Sequence, residues 1–466
     1  MSLDRTTLAA LRFGTGLRPG QPSPDDPAAL LAGLRAAAAA PPLVGPDEDA
    51  RLLEAVRGLR DARAGAAEAA RAAAAERRGA PAADTAMEAE AMLAEETRAL
   101  RRELESLQMG ALARAATSPH GFGERMARFW SNHFAVSVMF PAHWSRVAAY
   151  EDQAIRPHMA GRFADLLAAA VRHPAMTIYL DQAASVGPNS PVGLRTGRGM
   201  NENLAREILE LHTLGVGAPY GQDDVQALAR LLTGTAVAQG RYVWRRQRAE
   251  PGRVRLLGKA YAGASEDEMV RALHDLAAHP ATAAHLSRKL AVHFVADDPP
   301  AALTAALTET WAATDGDLRA VCRTLLEHPA AWGPPGPKLR QPWELVVAAL
   351  RAAAAQGDEI AAGARFPRAV TLGALAEMGQ QPGRAPGPDG WPEAAEAWIT
   401  PAGLSARLRW GARLGRVLAP DLDPRDFARA ALGPALGEKA AFAVAAASER
   451  WEAYAVFLAS PDFNRR

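Results

Sequence analysis

Residues 48–78 read EDARLLEAVRGLRDARAGAAEAARAAAAERR, a segment rich in alanine, leucine, arginine and glutamate. These residue types favour helix, and apolar residues at positions 52, 53, 56 and 59 begin a stripe at helical spacing. Gly79-Ala-Pro81 interrupts the pattern, and a second helix is predicted over about 85–115. Two long helices joined by a short turn predict an antiparallel helical hairpin, an arm that covers residues 48–116.

The rest of the chain has the same helical character, because strong helix formers dominate and β-branched runs are rare. One pair of β-like segments, 241–244 and 253–257, flanks a turn at Glu250-Pro-Gly252 and predicts one short β-hairpin. We therefore predict an all-α fold, a large multi-helix domain with the long arm and this single hairpin. The expected parts are an N-terminal helical segment (1–47), the arm (48–116), a central helical domain (117–332) and a C-terminal helical region (333–466) packed on the same core.

The charge of the chain is balanced, since 53 lysines and arginines stand against 52 aspartates and glutamates, for a net charge of +1. Proteins that bind nucleic acid by neutralising phosphates usually carry a stronger basic excess, so we expect no nucleic-acid partner. Only four basic residues are lysines, at positions 259, 289, 338 and 439, and each is therefore more informative than an arginine. Cys322 is the single cysteine, which excludes an intrachain disulfide and a cysteine-rich zinc site.

No targeting or membrane-spanning segment is visible in the sequence. Asp4 and Arg5 interrupt the N-terminal residues, which lack the apolar stretch of about 7–15 residues found in signal peptides. The longest apolar run near the C-terminus, 440–447, is shorter than the roughly 20 residues that span a bilayer. We expect a cytoplasmic protein without a membrane partner, with periplasmic export on a partner's signal as the alternative.

Residues 201–215 read NENLAREILELHTLG, and the helix predicted over 202–214 has two different faces. At 100° per residue, leucines and isoleucine at 204, 208, 209 and 211 share one arc with His212 in its middle. The opposite arc is polar and is interpreted either as a solvated face with an Arg206–Glu210 ion pair or as the wall of an internal polar cavity. The cavity hypothesis predicts buried, mutually bonded carboxylates and arginine, because a buried charge needs compensation. The residues of this predicted cavity are Glu151, Arg156, Glu207 and Glu210.

His133 repeats the pattern of His212, because it shares a helix face with Phe129 and Trp130 and is expected to point inward. We predict that both histidines are buried and approach one interhelical pocket; the alternative is two separate core histidines, each bonded to a backbone carbonyl. Imidazole and carboxylate are ligands that divalent transition metals accept, which makes such a metal a candidate cofactor. The candidate metal ligands are His133, His212 and Glu207, and the candidate catalytic residues are Glu207, Glu210, His133, Glu151 and Arg156. His285, Lys289 and His293 also align at helical spacing, but the lysine opposes cation binding and this stripe is expected on the surface.

Segment 201–215 closely resembles the hallmark of the bacterial domain-of-unknown-function family 1800. Shorter segments agree with that family in the same order along the chain: RFWSNHF at 128–134, HPAM at 173–176, DDPP at 297–300 and SPDF at 460–463. The resemblance spans nearly the whole chain and implies a largely helical protein, often encoded beside a sulfatase-like family. A product of that neighbouring family is therefore a candidate protein partner. The resemblance implies no activity.

The sequence departs from the family pattern at two informative positions. Members commonly have a second histidine where Ser131 stands, and a histidine where Ala249 precedes Glu250. These losses favour a non-catalytic helical scaffold that binds a protein partner through the arm or the loop at 183–200. The density of polar residues in segment 201–215 favours the other hypothesis, an enzyme with metal-assisted or acid–base chemistry. Its site is predicted between the helices at 122–134, 145–156 and 202–214.

Overall fold

The computed structural model describes residues 3–75, 80–140, 143–333 and 338–466, and these residues are mostly helical. The predicted mostly-α class is confirmed. Gly79 of the predicted interhelical turn lies outside the described residues, and the second arm helix begins at Ala80. The first helices are α1 (Arg5–Leu8), α2 (Pro27–Ala38), α3 (Pro46–Ala75) and α4 (Ala80–Thr117), with a π-helical turn at Ala9–Phe13.

Helices α3 and α4 form the predicted antiparallel pair. Arg51 lies 3.8 Å from Glu103, and Gly58 faces Glu96. A later residue of α3 therefore contacts an earlier residue of α4, as it does in an antiparallel pair. Helix α3 is rich in alanine and has only a narrow apolar stripe. Buried leucines from both helices pack together at the base of the pair, the end that adjoins the rest of the chain. This small core also contains Ala149, so it joins the arm to the central part of the chain. The leucines of the base are Leu52, Leu59, Leu100 and Leu104.

The central part of the chain surrounds α5 (Gly121–His133), which is buried along most of its length. Helix α2 crosses α5 so closely that a Cβ on Gly123 would lie 2.3 Å from the Cβ of Ala37, and only glycine fits there. Phe122, Trp130 and Phe163 belong to the largest apolar core, which extends to the helices before residue 332. The further helices here are α6 (Trp144–Tyr150), α7 (Phe163–Arg172), α8 (Pro174–Tyr179), α9 (Pro191–Thr196), α10 (Asn203–Glu207), α11 (Gln222–Leu232), α12 (Glu266–Ala277), α13 (Pro280–Phe294), α14 (Ala301–Ala313) and α15 (Leu318–Glu327), with π-helical turns at Glu151–Ile155 and Ile208–His212.

A second apolar core is built by the C-terminal helices together with the end of α4. Leu112 and Ala116 of α4 belong to this core, so α4 contacts both the arm core and the C-terminal core. The C-terminal helices are α16 (Pro342–Ala352), α17 (Gly357–Ala361), α18 (Leu372–Glu377), α19 (Pro401–Leu418), α20 (Pro424–Leu432), α21 (Glu438–Ala446), α22 (Arg450–Ala459) and α23 (Pro461–Asn464). Short 3₁₀ turns lie at Arg156–His158, Gln182–Ala184, Arg246–Arg248, Pro329–Trp332, Arg368–Val370, Ala395–Ala397 and Gly433–Ala435.

The predicted pairing of 241–244 with 253–257 is wrong, because each segment forms a hairpin with a nearer neighbour. Strand β1 (Thr235–Ala238) pairs with β2 (Arg241–Trp244), and β3 (Arg253–Leu256) pairs with β4 (Lys259–Ala262), both antiparallel. Each hairpin turns through two residues with positive φ, Gln239-Gly240 and Leu257-Gly258. Two consecutive positive φ angles are typical of the two-residue turns whose twist matches that of the flanking strands. Closing a two-residue loop also costs less conformational entropy than closing the longer loop between residues 244 and 253.

Within the residues that the structure describes, none of the helices is both long and apolar enough to cross a lipid bilayer. The motif Asp315-Gly-Asp317 lies directly before a helix. The Asp317 carboxylate accepts hydrogen bonds from the backbone N–H groups of Arg319 and Ala320 at the beginning of α15.

Candidate functional site

Both histidines singled out by the sequence occupy special places on their helices. His133 is the last residue of α5, and His212 is the last residue of the π-helical turn that follows α10. The wider π turn inserts one residue into the helical ladder, and such insertions are frequent at functional sites. On this helix Leu204, Ile208 and Leu209 are fully buried, as predicted for the apolar arc around His212, whereas Leu211 of the same arc is partly exposed.

The structure brings His133 and His212 together, as predicted. Their side chains are 2% and 0% exposed, and their ring centroids lie 5.8 Å apart. The hydrogen bond between the two residues joins a side chain to the backbone: Nε2 of His133 donates to the carbonyl oxygen of His212 at 3.2 Å. Since Nε2 carries the proton, Nδ1 of His133 must be the hydrogen-bond acceptor.

The acceptor nitrogen of His133 is occupied by a lysine. The Nζ atom of Lys289, on α13, donates to Nδ1 of His133 at 3.0 Å. Among the described residues no carboxylate forms an ion pair with this lysine, whose hydrogen-bond partner is instead the uncharged imidazole. Burial lowers the pKa of Lys289, and the more distant carboxylates of Glu393 and Asp389 only partly oppose this. Lys289 and His133 therefore form a coupled amine–imidazole pair.

The histidines around the pair are held in the neutral form. Burial and the Lys289 charge lower the pKa of His212 to about 3 and that of His285 to about 4. The pKa of His133 is lowered well below its usual value for the same two reasons. Nε2 of His285 donates to the carbonyl of Leu211 at 3.2 Å, whereas neither ring nitrogen of His212 has a hydrogen-bond partner among the described residues. An unsatisfied buried polar group lowers the stability of the folded state by about 1–3 kcal/mol. A contribution to stability therefore does not explain why a histidine is buried at position 212.

The expectation that His285, Lys289 and His293 form a surface stripe is wrong. Lys289 and His285 are only partly exposed, and His293 is buried. Nδ1 of His293 lies 2.7 Å from Glu393, a carboxylate that also lies 3.0 Å from the buried amine of Lys338. The helical spacing was interpreted correctly, but the face it defines packs against α5 and the segment after residue 388.

The amine–imidazole pair opens into a groove that encloses about 790 Å³. One wall is α13, and the other is the segment 389–393, which contributes Asp389, Trp391 and Glu393. Asn132 fixes this segment, because its side chain accepts from the backbone N–H of Trp391 at 2.7 Å and donates to the Trp391 carbonyl at 2.9 Å. A Cβ on Gly390 would lie 2.3 Å from the Asn132 carbonyl, so glycine, with its φ of +82°, is required there.

Glu151 and Arg156 are bonded to each other, as predicted, but within a different cluster from the histidines. Nε of Arg156 donates to Glu151 at 2.8 Å and its NH2 group donates to Glu124 at 2.6 Å. Arg114 donates to Glu151 at 3.1 Å and to Asp152 at 2.8 Å. Burial would raise the pKa of Glu151, but Arg156, Arg114 and Arg128 outweigh it and hold the pKa at about 2. Glu151 is therefore a permanently ionised member of an ion-pair cluster.

Glu207 and Glu210 are partly exposed and have no bond to Glu151 or Arg156 among the described residues. Partial burial raises the pKa of Glu207, and repulsion from the Glu210 and Asp389 carboxylates raises it further. The predicted Arg206–Glu210 ion pair is wrong, since Arg206 lies 3.4 Å from Glu202 on the preceding turn. The four residues of the predicted cavity thus divide into one mutually bonded pair, Arg156 buried and Glu151 partly buried, and two separate carboxylates near the surface.

The residues proposed as metal ligands do not form a ligand set. Within the described ranges no group of three or more histidine, cysteine, aspartate or glutamate side chains could hold a metal ion. Both ring nitrogens of His133 are already engaged, one by a carbonyl and one by Lys289. A metal would have to displace the lysine from His133, so the geometry gives metal chemistry no support.

The lysine, Asn132 and His285 were missed as site residues by reasoning from the sequence. Lys289 had one usable signal, because it is one of four lysines in a chain that otherwise uses arginine. Asn132 lies inside the RFWSNHF segment but carries no chemistry that would distinguish it from a surface residue. His173, in the HPAM segment, has a structural role: its Nδ1 accepts the backbone N–H of Ala175 and caps α8.

Comparison with known proteins gives one match. A protein-family model described as "Protein of unknown function (DUF1800)" matches residues 9–465. Neither the curated proteins nor the solved structures contain a match to this chain.

Proposed function

The chain belongs to the DUF1800 family of proteins of unknown function, and we propose that it is an acid–base enzyme whose reactive groups are Lys289 and His133. The observation that carries this proposal is the 3.0 Å hydrogen bond from the lysine Nζ to Nδ1 of His133. A largely buried amine that is bonded to a neutral imidazole, with only more distant carboxylates to stabilise its charge, releases its proton more readily than a surface lysine. An amine of this kind is suited to act as a general base or as a nucleophile toward carbonyl groups.

The surroundings support the division of roles between the two residues. The His212 carbonyl holds Nε2 of His133, which keeps the lone pair of Nδ1 directed at Lys289. His133 therefore positions the amine by accepting its hydrogen bond, whereas Lys289 faces the groove and contacts the substrate. Glu207, with its raised pKa, is the carboxyl group best suited to donate a proton among the carboxylates named from the sequence. The positions that depart from the family pattern, Ser131 and Ala249, take no part in this pair.

Selective reductive labelling tests this proposal. Treating the folded chain with formaldehyde and cyanoborohydride over a pH series, followed by peptide mapping, measures which lysine amines are unprotonated and accessible. The chain has only four lysines, and exposed Lys439 is the matched internal control. We expect Lys289 to be labelled at lower pH than Lys439, and we expect His133→Phe to change the pH profile of Lys289 but not that of Lys439. Labelling of Lys289 only at a higher pH than Lys439 would refute the proposal.

The alternative hypothesis is a non-catalytic scaffold that binds a protein partner, such as a product of the sulfatase-like family, through the arm. Two exposed methionines on α4, Met87 and Met92, favour such a contact, because flexible apolar side chains suit a protein interface. This hypothesis predicts no special reactivity at Lys289, so the same labelling experiment separates the two functions.

A further inference from the structure

A second cleft lies on another side of α5, between that helix, the 144–155 segment, the start of α16 and the residues after 380. It consists of two connected hollows of about 660 and 680 Å³, which share Arg128, Val147, Glu151, Trp343 and the Pro382-Gly383 wall. Asn132 and Trp391 separate it from the groove of Lys289, because both residues line the two spaces. Apart from these two shared residues, the cleft contains no residue of the acid–base site.

Arg128 is the unusual residue of this cleft. Its guanidinium carbon lies 4.5 Å from the ring centroid of Trp343, yet it has no hydrogen bond and no ion pair with any described residue. Glu151, which lines the same cleft, is bonded to other donors: Arg156 and Arg114 donate to its Oε1, and the Ser131 hydroxyl donates to its Oε2. Arg128 is only partly buried, so its guanidinium offers five N–H donors to a molecule that enters the cleft.

Two further donors around the cleft also lack acceptors. The hydroxyl of Tyr150 and the indole N–H of Trp343 are buried and have no hydrogen-bond partner among the described residues. Both side chains line the cleft, and their residues are only 3% and 7% exposed. Natural proteins leave few buried polar groups unsatisfied, so two such donors beside the unpaired guanidinium of Arg128 indicate that a ligand supplies the acceptors.

We propose that this cleft binds the oxyanion group, a carboxylate or a phosphate, of a small ligand. Arg128 makes two parallel hydrogen bonds to the oxyanion, because its planar fork matches that geometry, and Tyr150 and Trp343 donate to the remaining oxygen lone pairs. The indole rings of Trp343 and Trp391 form apolar walls for the body of the ligand. This assignment is independent of the chemistry at Lys289.

Isothermal titration calorimetry on the full chain tests the assignment with three probes: inorganic phosphate, malonate and benzoate. We expect saturable binding of at least one probe, and Arg128→Gln should weaken it by about tenfold or more because charge-assisted hydrogen bonds are lost. Preference for phosphate or for a carboxylate identifies the source of the oxyanion. The control variant is Arg416→Gln, which removes another arginine that stacks on a tryptophan, Trp451, but on the exposed surface.

A milder variant keeps the test decisive if Arg128→Gln does not fold. Tyr150→Phe removes one unpartnered hydroxyl and no existing bond, so it should fold, and it should weaken the same probe several-fold. The assignment is overturned if none of the three probes binds saturably at millimolar concentration. It is equally overturned if a probe binds but Arg128→Gln, or Tyr150→Phe where the first variant is unfolded, binds it as tightly as the Arg416→Gln control does.

Discussion

Replacement of His212 by leucine should leave the protein at least as stable at pH 7 and less sensitive to mild acid. The side chain is fully buried, and neither ring nitrogen has a partner among the described residues, so the imidazole is a cost to the folded state. Leucine has a similar volume and no polar atom. We therefore expect the free energy of unfolding at pH 7 to stay the same or to rise by roughly 1–3 kcal/mol, the cost of one unsatisfied buried group.

The pH effect follows from the lowered pKa of His212, which is about 3 in the folded chain against an ordinary value of 6.5. Between these two values the unfolded chain binds the proton and the folded chain does not, so stability falls as the pH falls. From pH 7 to pH 5 the unfolded imidazole becomes almost fully protonated, which favours unfolding by about 2 kcal/mol. The His212→Leu variant should lose about 2 kcal/mol less than the parent chain over this interval.

Urea unfolding followed by far-UV circular dichroism at pH 7 and pH 5 measures both quantities. His274→Leu is the matched control, because His274 is exposed and its replacement should leave the pH difference unchanged. The reasoning fails if His212→Leu lowers the free energy of unfolding at pH 7 by about 1–3 kcal/mol or more, as the loss of a satisfied hydrogen-bonding group would. It also fails if the variant keeps the full acid sensitivity of the parent chain.

Two further predictions concern the packing that positions the site. Asn132→Ala removes both hydrogen bonds to the Trp391 backbone, at 2.7 and 2.9 Å, and should lower the free energy of unfolding by about 1–3 kcal/mol. Limited proteolysis should then cut the segment around Trp391 faster than in the parent chain. An unchanged digestion pattern would contradict this role of Asn132. Gly123→Ala places a Cβ 2.3 Å from that of Ala37, where α2 crosses α5, and so forces the two helices apart. This overpacking should lower the free energy of unfolding by roughly 1–3 kcal/mol. A thermal unfolding midpoint equal to that of the parent chain would show instead that α2 can move freely.

Much of the secondary structure was predictable because it depends on local residue pattern. The segment expected as a helix over about 85–115 is α4 at Ala80–Thr117, and the one expected at 202–214 is α10 with its π turn, ending at His212. The hairpins were harder, because Gln239-Gly240 and Leu257-Gly258 are weak turn signals and the choice of partner strand depends on loop closure.

The candidate site was predictable only in part. Helical periodicity placed His133 and His212 on apolar faces, and the structure confirms that both are buried and close together. The same periodicity correctly aligned His285, Lys289 and His293 but said nothing about what packs against them. Lys289 was assigned to the surface because a charged residue is usually solvated, and only the approach of α13 to the end of α5 overrides that expectation.

The sequence by itself determined the class of fold, the helical segments and the faces on which the two central histidines lie, since these follow from interactions between residues a few positions apart. The family relationship was also visible in the 201–215 segment and is borne out by a match over residues 9–465. Only the tertiary structure decided that Glu151 and Arg156 belong to one cluster while His133 bonds Lys289, 156 positions away in the chain. The physical reason is that hydrogen bonding and burial depend on contacts between distant segments. Those contacts set which buried charge is paired and which amine meets a neutral imidazole.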